Sequence, residues 1–282
     1  DDNMAVDAGW TNCVPYTSVE VEEVQALVQD AIFSRGPSGV KRTGMFFGGR
    51  DMHIAMDMLK ICQDSMVPPF EISGFADPSG AFTTAAGMVA KVEKALKEIH
   101  NTDFKDKCVL ALGGTGPVGM AAALIAAKQG AKVKIMGRQK DNAQRVAELC
   151  NEKYGSNMTG IQGEAVNMLD SFLDEVDVVF ATAAAGVQVM SAEQVKLASK
   201  LKVAADVNAV PPSGIAGVGV MDDCVAIEGS ASGAVGIGAL AIGNAKYQTQ
   251  HRLLKAMCAT DKPVYYHFEH AFKMAREFVA EK

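Results

Sequence analysis

The stretch Cys108-Val109-Leu110-Ala111-Leu112-Gly113-Gly114-Thr115-Gly116-Pro117-Val118-Gly119 decides the fold of this chain. A compact apolar run leads into a glycine turn, and an alanine-rich helical stretch follows from about Val118 to Gln129. The apolar run reads as a strand covered on both faces, the kind found inside a parallel sheet. Gly114, Gly116 and Gly119 form a G-x-G-x-x-G. The first allows a tight turn, the second lets backbone approach a pyrophosphate, and the third permits close helix–sheet packing. The helix start then offers free N–H groups and its positive dipole end to an anion. Gly114, Thr115, Gly116, Pro117, Val118 and Gly119 are therefore the candidate phosphate cradle. A glycine turn without a ligand would look the same in isolation. The strand before it, the helix after it and a second strand over Lys132–Met136 make it a dinucleotide motif.

Cofactor choice is read where that second strand ends. An NAD enzyme usually carries Asp or Glu there to bind the ribose hydroxyls, but this chain has Gly137-Arg138-Gln139-Lys140. A guanidinium grips a 2′-phosphate that a carboxylate would repel, so Arg138 predicts NADP. The competing reading of Arg138 is a solvated surface side chain. Asp141, just beyond, keeps weaker NAD use open. Two later strand ends should close the site: Thr182-Ala183-Ala184 after a strand over Val176–Thr182, and Asp206-Val207-Asn208-Ala209 after a strand over Val203–Val207. Asn208 is a candidate partner for the nicotinamide amide. Alternatively, Asp206 and Asn208 only organise the turn before Pro211 and Pro212.

Outward from this core, strands and helices keep alternating. A helix is expected over Val19–Phe33 with Ser18 as its cap, a strand over Thr43–Phe47, a helix over Asp51–Gln63, and a helix from about Thr83 to His100 after the turn Asp77-Pro78-Ser79-Gly80. Helices follow over Asp141–Tyr154, Lys246–Met257 and Tyr266–Ala280. The rhythm predicts an α/β protein with a Rossmann-like, doubly wound parallel sheet and a second α/β domain. The expected divisions are 1–101, 102–235 and 236–282.

Composition narrows the function classes. The 282 residues carry a net charge of −6, which argues against a nucleic-acid partner. No apolar run reaches the ~20 residues of a membrane helix. Six scattered cysteines without a C-x-x-C pair suit a reducing compartment, so a cytoplasmic location is expected. His267 and His270 are the only close histidine pair and are expected to be solvated surface, so no metal is predicted.

Beyond the glycine loop, more specific stretches run along almost the whole chain: Asn3–Gly9, Gln29–Arg35, Phe75–Thr84, Asp206–Pro212 and Gly236–Lys246. Through them the chain resembles the methylene-tetrahydromethanopterin dehydrogenases, relatives of the bacterial methylene-tetrahydrofolate dehydrogenases. The resemblance implies a pterin-binding first domain, a last segment whose helices pack back on it, an active-site cleft between the domains, and a homo-oligomer, a trimer or hexamer. It implies hydride transfer from methylene-tetrahydromethanopterin to NADP. Tetrahydrofolate as carrier and a non-catalytic NADP sensor are the competing readings. The family normally opens with a strand that would precede Asp1, so that strand and any substrate contact on it are expected to lie outside this sequence.

Such chemistry obliges no strong acid or base, because the two pterin nitrogens expel the hydride; alignment and electrostatics are the protein's tasks. The resemblance places Lys246 at the family's active-site lysine, and a protonated lysine facing a cationic product calls for an orienting hydrogen bond or a depressed pKa. A surface lysine at a helix start is the alternative. Asp77 is the candidate carboxylate, equally explained as a turn former before Pro78. Phe82 could stack on the pterin and Thr83 could bond it, or both could be packing. Asp7, Ser79, Gln250 and His251 complete the candidate pterin contacts.

Overall fold

The computed structural model describes residues 2–155 and 160–281. Along the chain, α1 (Asp2–Asp7), α2 (Val24–Phe33) and α3 (Pro37–Val40) precede β1 (Gly44–Phe47), α4 (Met52–Asp64), β2 (Ser73–Ala76) and α5 (Ala81–Glu98). Then come β3 (Cys108–Leu112), α6 (Pro117–Lys128), β4 (Lys132–Gly137), α7 (Lys140–Tyr154), β5 (Gln162–Ala165), β6 (Val178–Ala181), α8 (Ala192–Leu197) and β7 (Val203–Asp206). The chain closes with β8 (Asp223–Ala226), β9 (Val235–Ile237), α9 (Ala239–Ala259), β10 (Tyr265–Tyr266) and α10 (Phe268–Ala280).

These strands form a seven-stranded sheet in the order β5-β4-β3-β6-β7-β9-β8 and a three-stranded sheet in the order β1-β2-β10. In the larger sheet only β8 runs antiparallel, against β9. Strand order reverses between β3 and β6, the switch point at which doubly wound sheets bind ligands beyond their carboxyl ends. Strands β6 and β7 are buried along their whole length, as parallel strands covered by helices must be. Helix α6 buries most of its length, and its alanines let it lie close to the sheet.

The smaller sheet is also parallel, and its third strand comes from the far end of the chain: Tyr265 and Tyr266 pair with Gly74 and Phe75. Helices α9 and α10 pack against α5, which also packs against α6. At that junction the half-exposed Arg276 donates to the buried Glu93 at 2.7 Å and to Gln129 at 2.7 Å, tying α10 to α5 and α6. On the other flank α4 meets α7. His53 Nδ1 lies 3.1 Å from the Tyr154 hydroxyl, and Lys153 pairs with Asp57 at 2.8 Å.

Local expectations shift in three places. Ser18 is not a helix cap; it sits at φ 57, and the helix is entered through a tight turn in which the Glu20 amide donates to the Glu23 carboxylate at 2.8 Å. Helix α9 begins at Ala239, so Lys246 lies two turns inside it rather than near its start. His267 is not solvated surface. It is half-buried at the N-terminus of α10, with its ring against His270 and Phe268.

Candidate active site

The phosphate loop is built by close approach. Gly113 has φ 77, and both the Gly113 and Gly114 amides donate to the Met136 carbonyl, at 3.0 and 3.1 Å, pinning the turn to β4. A Cβ on Gly114 would sit 2.6 Å from the Ala111 carbonyl oxygen, and one on Gly119 would sit 2.5 Å from Gly114 Cα. Both glycines are therefore demanded by the fold. Gly116 differs. Its backbone is extended (φ −84, ψ 164), and a Cβ there would meet nothing closer than 3.5 Å. The internal packing leaves open space beside Gly116, at the mouth of α6, where no side chain caps the helix. That opening, at a positive helix end, fits a dinucleotide pyrophosphate. Pro117 occupies the first helical position, and Val118 follows it in the first turn.

Thr182 and Ala183 back the loop. The Thr182 hydroxyl donates to the Leu112 carbonyl at 3.0 Å, and Ala183 backbone lies 2.6 Å from where a Cβ on Gly113 would be. Thr115 packs over Gly137 at the end of β4. Arg138, next in the chain, is exposed and makes no hydrogen bond or ion pair among the described residues. Lys140 pairs with Glu164 at 3.2 Å, so its charge is already balanced.

A second polar cluster joins α5 to α9. Asp77 follows β2 and is fully buried. Its carboxylate accepts from the Phe82 and Thr83 amides at 2.9 and 3.1 Å and from the Thr83 hydroxyl at 2.6 Å, capping the first turn of α5. Burial pushes this carboxyl above its ordinary range, opposed by the Thr83 bonds, the Lys246 charge and the Phe82 amide. Lys246 Nζ donates to Gln250 Oε1 at 2.7 Å. The lysine stem runs beside Gly80 (φ 67), where a Cβ would lie 3.1 Å from Lys246 Cε. Two turns on, Gly87 lets α5 touch α9, with the Lys246 amide nitrogen 3.0 Å from the Cβ position.

Comparison with known proteins places this arrangement. The family model described as methylene-tetrahydromethanopterin dehydrogenase, N-terminal, matches residues 1–79, and that described as shikimate / quinate 5-dehydrogenase matches residues 93–224. The chain is 41% identical to the NAD(P)-dependent methylenetetrahydromethanopterin dehydrogenase of Methylorubrum extorquens, over 98% of this chain and 93% of that one. The chain belongs to the methylene-tetrahydromethanopterin dehydrogenase family. The bifunctional protein MdtA of the same organism is 31% identical over 97% of this chain and 92% of that one. Among solved structures, shikimate 5-dehydrogenase from Listeria monocytogenes superposes with a TM-score of 0.47 at 16% identity, covering 84% of this chain and 79% of that one.

Within this family frame, several residues take the structural one of the two readings that the sequence left open. The side chain of Asn208 is engaged within the loop after β7. Its Oδ1 accepts from the Gly186 and Val210 amides at 3.1 and 3.0 Å, and its Nδ2 donates to the Pro212 carbonyl at 2.7 Å. Asp206 is buried and accepts from the Asn208, Gly214 and Ile215 amides. Both therefore build the loop after β7, and Ala209 is exposed on it, as is Ala184 after β6. Phe82 cannot stack on a ligand, because it is fully buried edge-on against Phe268. Thr83 is also fully buried and spends its hydroxyl on Asp77, and Asp77 in turn serves as a cap rather than an exposed carboxylate.

The remaining candidates divide. Gln250 is buried and holds Lys246; the i, i+4 spacing of the two on one helix was the signal for that pair. His251 stacks in parallel on Tyr247 at 6.2 Å. Ser79 is exposed and donates to the Gly49 carbonyl at 2.7 Å, joining the loops after β1 and β2. Asp7 is exposed on α1, a helix that packs on α9. In the sequence Gly80 reads only as a turn residue; its left-handed backbone, which suits a glycine, is what makes room for the Lys246 stem.

Proposed function

We propose that this chain oxidises methylene-tetrahydromethanopterin to methenyl-tetrahydromethanopterin with NADP as hydride acceptor. The observation that carries the reading is the pairing, within one family frame, of an open phosphate cradle at Gly116 with a lysine held in place on α9. The methylene carbon of the substrate gives up a hydride, which NADP when bound accepts, and the two flanking nitrogens share the positive charge left behind. Every other part of the task falls to the chain. The mouth of α6 takes the bridging pyrophosphate of the dinucleotide, and the exposed guanidinium of Arg138 favours a 2′-phosphate over a bare ribose.

In this reading residues 1–101 with 236–282 present the pterin, and residues 102–235 present NADP. The pairing of β10 with β2 and the packing of α9 and α10 on α5 support that division. Lys246 orients the pterin through a hydrogen bond. Gln250 fixes its direction, and the buried carboxylate of Asp77 offsets its charge beside a product that is itself a cation. The same reading carries a homo-oligomer of identical copies, which sedimentation measures.

The test is to mix protein, methylene-tetrahydromethanopterin and NADP and follow the methenyl-pterin and NADPH absorbance bands. Parallel runs use NAD and the tetrahydrofolate carrier. Rapid methenyl formation with NADP and the methanopterin carrier is the expected result. Tight NADP binding without turnover on either carrier would overturn it in favour of a sensor.

A further inference from the structure

Six of the exposed large apolar side chains lie towards one end of the larger sheet, while others, such as Tyr16, Phe33, Ile54 and Leu197, lie elsewhere. Val187 follows β6, Val210 follows β7, Val220 and Met221 precede β8, and Leu240 and Tyr247 lie on α9 beyond β9. Because β8 is antiparallel, all these segments emerge at the carboxyl ends of β6, β7 and β9. This is the edge where an open α/β sheet takes its ligand, on the half beyond the switch point at β3 and β6. Contacts hold the set in two neighbouring groups. Val210 lies beside Gly186, whose amide donates to Asn208, and the Leu240 amide donates to the Val220 carbonyl at 2.9 Å.

Helix periodicity sharpens the picture. Leu240, Gly243, Asn244, Tyr247 and His251 share one face of α9, spaced as i, i+3, i+4, i+7 and i+11. Lys246 and Gln250 sit on the adjoining face, turned towards Gly80. Tyr247 is 45% exposed as a residue, and its ring lies parallel to the His251 ring, with 3° between their planes. One aromatic face is thus backed by an imidazole beside the lysine. Aromatic rings presented in this way hold other flat heteroaromatic systems by stacking. The site also needs such a ring, because Phe82, the sequence candidate, is sealed against Phe268.

We propose that Tyr247, backed by His251 and flanked by Leu240, is the platform on which the pterin ring of the substrate stacks. This rests on the dehydrogenase reading above and names the surface that holds its substrate. The occupant is a flat, uncharged heteroaromatic ring, since the exposed face Leu240-Gly243-Asn244-Tyr247 carries no charged side chain and borders Lys246 directly. A second copy of the chain is the competing occupant of an apolar face.

The experiment compares wild type, Tyr247→Ala and Tyr247→Phe by KM for methylene-tetrahydromethanopterin, KM for NADP, and sedimentation at the assay concentration. Loss of one stacking ring should raise the pterin KM by about tenfold or more in Tyr247→Ala, with the NADP KM unchanged. Tyr247→Phe keeps the ring and should recover most of that affinity. An unchanged pterin KM in Tyr247→Ala overturns the proposal. So does a rise that tracks dissociation of an oligomer, which would assign the face to a second copy. If the wild type does not turn over, the dehydrogenase reading has failed separately. Titration of pterin fluorescence against wild type and Tyr247→Ala then decides the platform: weaker binding in the variant supports it, and equal binding overturns it.

Discussion

Lys246 and Gln250 are bonded one turn apart on α9, Nζ to Oε1 at 2.7 Å, with the lysine stem laid along Gly80 at the start of α5. The bond takes one of three ammonium hydrogens and fixes the direction of the other two. A lysine aimed in this way orients a substrate at little entropic cost at the moment of reaction. Gln250→Ala should therefore lower kcat by about tenfold while leaving NADP affinity unaltered. Steady-state kinetics with a parallel NADP titration reads both, and the titration confirms that the cofactor half is folded. An unchanged kcat would show that the direction of Lys246 is immaterial.

The glycine loop makes a sharper prediction, because its glycines are required for different reasons. Gly116 has ordinary extended dihedrals and room for a Cβ, so Gly116→Ala should melt within about 2 °C of wild type. The added methyl would stand in the opening assigned to the pyrophosphate, and NADP affinity should fall by about tenfold or more. Gly119→Ala would press a methyl against Gly114 backbone and should cost about 1–3 kcal/mol of stability. Calorimetry and NADP titration of the two variants separate folding need from ligand need. Equal losses of stability in both would dismiss the distinction.

Among the described residues Arg138, just past the end of β4, has no ion-pair partner, whereas nearby Lys140 is committed to Glu164. Charge-assisted bonds from a guanidinium to a 2′-phosphate are worth about 1.5–3 kcal/mol, so Arg138→Ala should raise the NADP KM by roughly ten- to a hundredfold. NAD lacks that phosphate, and its KM should hardly move. A parallel rise for both cofactors would place Arg138 on the shared part of the dinucleotide instead.

What could be read in the sequence depended on whether the cause of a structure was local. Strands β3, β6 and β7 are apolar runs because helices cover them on both faces, and the glycine spacing of the loop encodes contacts between near neighbours. β8 is mostly exposed and β10 is two residues long. Neither has an apolar signature, and β10 exists only because β2 pairs with it. The same limit governed the side chains. Phe82 next to a functional turn looked like a stacking ring, and only the arrival of Phe268 from the far end of the chain buries it. Asn208 had two readings in the sequence, and its bonds to Val210 and Pro212 favour the local, turn-forming one, with only Gly186 added from a remote loop. Lys246 was placed correctly on a helix but at the wrong depth, since the small residues Ala239–Ala245 conceal two helical turns.

His267, at the N-terminus of α10, provides a pH-dependent signature of the fold. Burial, with some repulsion from His270, holds its imidazole down at about 4, well below the ordinary 6.5. The folded state therefore binds fewer protons there than the unfolded chain between those two values. Stability contributed by the neutral ring is fully present above pH 6.5 and is lost as pH falls through the window towards 4, by about 2–3 kcal/mol in all. His270 shifts in the same direction, again through burial, and adds to the slope. Urea denaturation at intervals between pH 7 and pH 4 should show this decline in wild type. The decline should be markedly shallower in His267→Asn, which retains an acceptor for the helix start but no titrating ring. Identical slopes in the two proteins would mean that the imidazole titrates as freely in the folded chain as in the unfolded one.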